Sequence, residues 1–304
     1  MNRCVSSEPL YRDQMKKTVF ILITALLCMI AGAQDDPLRI IIIGAHPDDC
    51  EGNGGTAALW AEMGHKVKFV SVTNGDAGHQ DKGGGALARI RHAEAMEAGR
   101  ILGVEYEILD NHDAELMPTL ENRKKIIRLI REWEADVVIS HRPNDYHPDH
   151  RYTGILVQDA AYLVIVPNVV PDCPPLKNNP VFLYAQDGFK KPNPFSPDIV
   201  VGIDKVIDRK IESFAAHESQ VFEWIPWTYG GLDRVPRDRE ARLEMIKGMY
   251  QPGITPEVRE ALIKWYGKDA GSKIRYAEAF EICEFGSYPD EEDILRLFPM
   301  IGKK

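Results

Sequence analysis

Residues 38–75 read LRIIIIGAHPDDCEGNGGTAALWAEMGHKVKFVSVTNG. The run LRIIIIGA is apolar without alternation, which is the pattern of a strand buried on both faces. GGTAALWAEMG follows with helical spacing, and KVKFVSVTNG is a second strand of the same buried type. A strand, a loop, a helix and a strand in succession form a parallel crossover unit.

The alternation continues outward from there. ALARIRHAEAMEAGRILG reads as a helix, YEILD as a strand, ENRKKIIRLIREWEA as a helix and DVVIS as a strand. A helix is expected from about Tyr152 to Val166, then the proline-rich loop PNVVPDCPPLKNNP, strands in VFLYAQD and DIVVGID, and a helix over VIDRKIESFAAHESQV. From Pro226 the pattern is less regular, with the amphipathic stretch TPEVREALIKWYG and a strand in YAEAFEICEF. With no internal repeat or low-complexity linker, the reading is an α/β, three-layer Rossmann-like fold. A mostly parallel sheet carries helices on both faces, and residues 34–304 make one domain with a C-terminal elaboration.

Composition narrows the function classes. The chain has 304 residues, 44% hydrophobic and 9% aromatic, with a formal net charge of -9. No run of lysines or arginines marks its body, so nucleic acid and anionic membrane surfaces are poor partners. The N-terminus differs: Met15-Lys16-Lys17 precedes a mostly apolar run from Val19 to Ile30, then Ala31-Gly32-Ala33. That order describes a secretory signal peptide too short to span a bilayer, with cleavage after Ala33 and a start at Met1 or Met15. Cys28 invites a lipoprotein reading, but Leu27 before it is a poor cleavage position, so a freely exported protein ranks first. Cleavage removes four basic and two acidic side chains and takes the charge from -9 to -11. Cys50, Cys173 and Cys283 then remain, too few and too scattered for a disulfide framework.

Two segments concentrate the chemistry. Ala45-His46-Pro47-Asp48-Asp49-Cys50-Glu51 follows the first strand, and His141-Arg142-Pro143-Asn144-Asp145-Tyr146-His147-Pro148-Asp149-His150 follows DVVIS. Ligands of open parallel sheets bind where such strand ends converge. His46, Asp49 and His150 supply the facial nitrogen and oxygen set that a divalent metal such as zinc takes, leaving a position open for water. Iron, cobalt or manganese would fit the same donors. Asp48 is then free to take a proton from that water, and His147 to polarise an oxyanion or protonate a leaving nitrogen. Asp149 is placed to hold a catalytic histidine in one tautomer. Against this, His-Pro-Asp is also ordinary turn chemistry. His65, His79, His92, His112 and His141 are read as solvated or core histidines, and Cys50 as a buried structural thiol.

AHPDDCE followed about a hundred residues later by HPDH resembles the PIG-L or LmbE-like family of zinc-dependent de-N-acetylases of N-acetylglucosamine conjugates. The resemblance spans most of the mature chain. TNGDAG, the R-x-x-E of Arg91 and Glu94, the AH-x-SQ of His217 to Gln220 and the AEAF of Ala277 to Phe280 support it. It implies His46, Asp49 and His150 as metal ligands, Asp48 as general base, and His147 as acid or electrophile. It also implies Arg91 as a sugar-gripping arginine, with Asp113 accepting hydrogen bonds from sugar hydroxyls. The plainer alternatives are a helix-surface pair for Arg91 and Glu94, a turn residue for Asp113 and a helix cap for His217. Family members that handle cofactor precursors or lipid-linked sugars work in the cytoplasm or on its membranes, so an export signal is a departure and points to an extracellular or periplasmic glycan.

The expectation is hydrolysis of an acetamide on an amino sugar or glycoconjugate. The alternatives are a metal-dependent amidase acting on a larger conjugate, and a sugar-binding protein without turnover. A nucleotide-binding reading fails because the first turn carries carboxylates and lacks G-x-G-x-x-G. Trp224 and Trp227 are expected to pack in the core, with sugar stacking as the other use.

Overall fold

The structure, a computed structural model, describes residues 36–250 and 253–302. The expected leader and signal peptide, with Cys28 and the cleavage point after Ala33, lie outside the described residues. Leu38–Lys304 form one compact unit.

Seven strands make up the sheet among the described residues: β1 (Arg39–Gly44), β2 (Lys66–Thr73), β3 (Glu105–Asn111), β4 (Val137–Ser140), β5 (Val181–Ala185), β6 (Ile199–Gly202) and β7 (Ala277–Cys283). Their order is β3-β2-β1-β4-β5-β7-β6. β1 to β5 pair in parallel, and β7 runs antiparallel to both β5 and β6. The expected mostly parallel sheet is therefore present, and among the described residues its one reversed strand is the last in sequence.

β1 shows why the run was legible. Ile40 and Ile42 face one core layer with Trp60, Phe69 and Leu102, whereas Ile41 and Ile43 face another with Val70, Ile126 and Leu156. Each of these four isoleucines is 2% exposed or less, and a fully buried isoleucine contributes about 1.5–3 kcal/mol. The core thus lies on both sides of the sheet, between two layers of helices.

The helices that matter for the site are α1 (Gly54–Glu62), α2 (Gly84–Leu102), α3 (Leu120–Glu132), α4 (Pro148–Leu163) and α5 (Ile207–Ala216). α3 starts where Thr119 accepts a hydrogen bond from the Asn122 amide, and α2 stops at Gly103, whose φ of 77° admits glycine easily. α4 begins at Pro148, earlier than the expected Tyr152. The physical reason is the cap: the His147 ring accepts the Asp149 N–H at 3.2 Å and Pro148 takes the first helical position, where its missing N–H costs nothing. His150 consequently sits on the first turn of a helix and not in a loop.

Strand order reverses between β1 and β4, with Ile43 in register with Ser140. The two chemistry-bearing segments therefore leave the sheet side by side, at its switch point.

Candidate active site

At the end of β1 the chain must turn back on itself. Asp49 lies so close over Gly44 that a Cβ at that glycine would stand 2.7 Å from the Asp49 Cβ. The Asp49 carboxylate accepts the Ala45 and His46 amides at 2.8 and 2.7 Å, which fixes its direction. Asp48, one residue earlier, has φ 148° and ψ −16°, a conformation non-glycine residues rarely adopt. That strain separates the two neighbouring carboxylates.

Three donor atoms then converge. His46 Nδ1 lies 3.1 Å from His150 Nε2 and 3.5 Å from an Asp49 oxygen, and His150 Nε2 lies 3.4 Å from the other Asp49 oxygen. Two ligands about 2.1 Å from a zinc ion at a tetrahedral angle stand roughly 3.4 Å apart. Both rings are pinned from behind by carboxylates. His46 Nε2 faces Asp113 at 3.1 Å and Asp149 at 3.2 Å, and His150 Nδ1 faces Asp145 at 3.2 Å. In the neutral rings those far nitrogens carry the proton, so the near nitrogens present lone pairs to one point beside a carboxylate. A shared proton or a cation there relieves the repulsion, and the donor set fits a divalent cation. The same field acts on protonation. Burial opposes charging His46, but hydrogen bonds to Asp113, Asp149 and Asp49 raise it well above the ordinary histidine range. Burial would also raise Asp49, but the charges of His150 and His141 hold it well below the carboxylate range.

Asp48 and His147 flank this point. Burial, and then the Asp49 charge, push the Asp48 carboxyl up to about 6, and its Oδ1 is buried without a hydrogen-bond partner among the described residues. Because His147 Nδ1 accepts the Asp149 amide, a neutral ring carries its proton on Nε2. Burial and the charges of His46 and His150 lower His147, which favours that neutral form. Asp149 thus acts on both histidines: its carboxylate holds His46 and its amide holds His147. Two further amides, Ala114 and Leu116, fix the carboxylate itself at 2.7 and 3.3 Å.

The site opens into a cavity of about 720 Å³ that Asp48, His147, Arg91 and Asp113 line together. Arg91 is 2% exposed and donates to the Gly78 carbonyl at 2.6 Å, so it is no surface partner of Glu94. Glu94 instead accepts the Ser219 amide and hydroxyl at 2.8 and 2.7 Å. Gly75, at φ 69°, makes the approach possible, because a Cβ there would come within 3.1 Å of Pro47 and 3.3 Å of Arg91. Asp113 keeps Oδ1 on His46 and places Oδ2 beside Gly78. His217 ends α5, but its ring is wholly buried against Glu51 at 2.8 Å.

Sequence reasoning missed several residues. His141, read as solvated or core, stacks on the His150 ring at 4.3 Å and lies 3.2 Å from the Asp49 carboxylate. Asp145, which orients His150, stands in the same decapeptide and was legible only as part of the cluster. Trp224, expected in the core, lines the cavity together with Gln220, while Trp227 is 49% exposed and stacks on Trp224 at 5.3 Å. Both cavity residues come from a π-helical turn, Ser219–Trp224, that no periodicity announces. Cys50 is buried, as expected, and its thiol contacts the Ile42 and Val70 carbonyls.

Comparison with known proteins gives a consistent picture. Residues 41–161 match the family model described as PIG-L, GlcNAc-PI de-N-acetylase. Diacetylchitobiose deacetylase of Thermococcus kodakarensis is 33% identical over 207 residues, 64% of this chain and 74% of that protein. 4-Oxalmesaconate hydratase of Pseudomonas putida is 26% identical over 203 residues, 64% of this chain and 78% of that protein. Among solved structures, the N,N'-diacetylchitobiose deacetylase of Pyrococcus horikoshii superposes with a TM-score of 0.61 at 25% identity, covering 94% of this chain and 96% of that one.

Proposed function

The chain belongs to the PIG-L family, and from that membership we propose that it is a zinc-dependent hydrolase that removes the acetyl group from an acetamido sugar or glycoconjugate. The observation that carries the reading is the convergence of His46 Nδ1, the Asp49 carboxylate and His150 Nε2 within 3.1–3.5 Å, next to an unpartnered Asp48 oxygen. His46, Asp49 and His150 would hold the ion. A bound divalent cation supplies Lewis acidity, polarising an amide carbonyl and making water acidic enough to react near neutral pH.

The chain's own groups do the rest. Asp48 takes the proton of the attacking water as the new C–O bond forms. His147 Nε2–H donates a hydrogen bond to the carbonyl oxygen as its charge develops, and the proton that Asp48 took from water passes to the sugar nitrogen as the C–N bond breaks, so acetate and a free amine leave. Arg91 and Asp113 grip the sugar from the cavity wall, one as donor and the other as acceptor. The discriminating experiment is metal analysis of the purified protein combined with acetate detection over a panel of N-acetylated sugars. Bound zinc with acetate release supports the reading, and a metal-loaded protein that releases no acetate from any of them defeats it.

The hydratase relative favours a second reading, in which the same water activation adds to a carbon–carbon double bond. The acetate assay separates the two, since hydration releases nothing. The stretch from Met15 to Ala33 motivates a further part of the proposal, that the protein is exported and meets its glycan outside the cytoplasm. Intact mass of the protein recovered from its native cells checks it, with a mature chain beginning at Gln34 as the expected result. No helix among the described residues is long and apolar enough to cross a membrane.

A further inference from the structure

Several buried polar atoms around the cavity have no hydrogen-bond partner among the described residues: Asp48 Oδ1, Arg91 Nε and Gln220 Oε1. Native proteins rarely leave such atoms unsatisfied, because a buried polar atom without a partner has lost its hydration and gained nothing in return. Asp48 and Arg91 have roles in the proposed reaction, whereas Gln220 has none.

The backbone under Gln220 is anchored at both ends. Ser219 is fastened to Glu94, which lies one turn beyond Arg91 on α2. Glu223 accepts from His79 and Lys82, both at 2.6 Å, which ties the same turn to the loop after β2. Glu94 therefore holds the Gln220 backbone in fixed relation to Arg91. A π-helical turn is a rare device that recurs at functional sites, and here it carries Gln220 and Trp224 to the cavity wall.

We infer that Gln220 is a specificity-determining residue whose side-chain oxygen accepts a ring hydroxyl of the amino sugar while Arg91 donates to another. The inference rests on the deacetylase reading above. The chemistry of the walls favours a hydroxyl over a charged group. Asp48 and Asp113 line the cavity together with Arg91, so an anion would meet two carboxylates, while a neutral polyol supplies a donor to Gln220 and an acceptor to Arg91 from adjacent ring positions.

The test is steady-state acetate release from N-acetylglucosamine and from analogues that each lack one ring hydroxyl. The metal-loaded wild type is compared with Gln220→Leu, Gln220→Ala and Gln220→Glu. In the wild type, removal of one hydroxyl is expected to lower kcat/KM by roughly ten- to a hundredfold. In Gln220→Leu the parent sugar falls to the level of that analogue and the discrimination vanishes, while Gln220→Glu, which keeps an acceptor, retains it. Should Gln220→Leu fail to fold, Gln220→Ala carries the same comparison. The inference is overturned if the leucine and alanine variants keep the wild-type ratios across the series, because a merely structural role would slow all sugars equally. A wild type that releases no acetate from any sugar of the wider panel would instead defeat the deacetylase reading, and the inference with it.

Discussion

Asp48 combines two properties that can be separated by mutation: a carboxylate aimed at the cavity and a backbone held at φ 148°. Asp48→Ala is expected to keep bound metal and lose about two to four orders of magnitude in kcat, checked by metal analysis and acetate release. Asp48→Gly should be equally inactive yet about 1 kcal/mol more stable than Asp48→Ala in denaturant, since only glycine relaxes at that φ. Equal stability would show that the turn is not strained. Asp145→Asn tests the support behind His150 as a proposed ligand. It should weaken metal affinity roughly ten- to a hundredfold while His150→Ala abolishes binding, both read by competition with a chelator. That His46, Asp49 and His150 come together was legible because two segments rich in imidazoles and carboxylates each end a strand of one parallel sheet. His141 and Asp145 were not, because their role is to orient other side chains, and orientation leaves no spacing signature in a sequence.

At the level of elements, α4 carries the chemistry on its first turn and is secured at its last. The Arg131 guanidinium, on α3 and 3% exposed, donates to the carbonyls of Leu163, Val164 and Val166 and to those of Val169, Val170 and Cys173. These carbonyls belong to the helix end and the loop after it, where Leu163, Val164, Val166 and Val170 each accept one backbone amide and the guanidinium supplies a further bond. Arg131→Leu should therefore destabilise the protein by about 3 kcal/mol or more, seen as a lowered urea midpoint, and Arg131→Lys should recover only part of it. An unchanged midpoint would mean that solvent serves those carbonyls as well. The strands and the middles of the helices followed from period and apolarity. The start of α4 did not, because histidine is an uncommon cap and Pro148 reads as readily as loop. The π-helical turn was beyond reach for a similar reason, since its geometry depends on Glu94 and Glu223 partners distant in sequence.

For the whole molecule, the C-terminal region is a working part of the sheet. Glu278 on β7 accepts the Gly55 and Thr56 amides at 2.9 and 2.7 Å and pairs with Lys210 at 2.6 Å, with side chains 2% and 1% exposed. It thereby ties the last strand to the start of α1, directly after the turn that presents Asp49. Glu278→Gln should cost about 3–5 kcal/mol, because it strands a buried ammonium, and thermal or urea unfolding would register it. The sequence read the segment from Pro226 as an elaboration, since the pairing of β7 between β5 and β6 is non-local and leaves no trace in local periodicity. That placement has a kinetic consequence. On the ribosome β5 and β6 emerge well before the strand that joins them, so both keep open edges until β7 follows. Until then the chain is exposed to wrong edge-to-edge pairing, and refolding yield should fall with protein concentration more steeply than for a sheet completed in order.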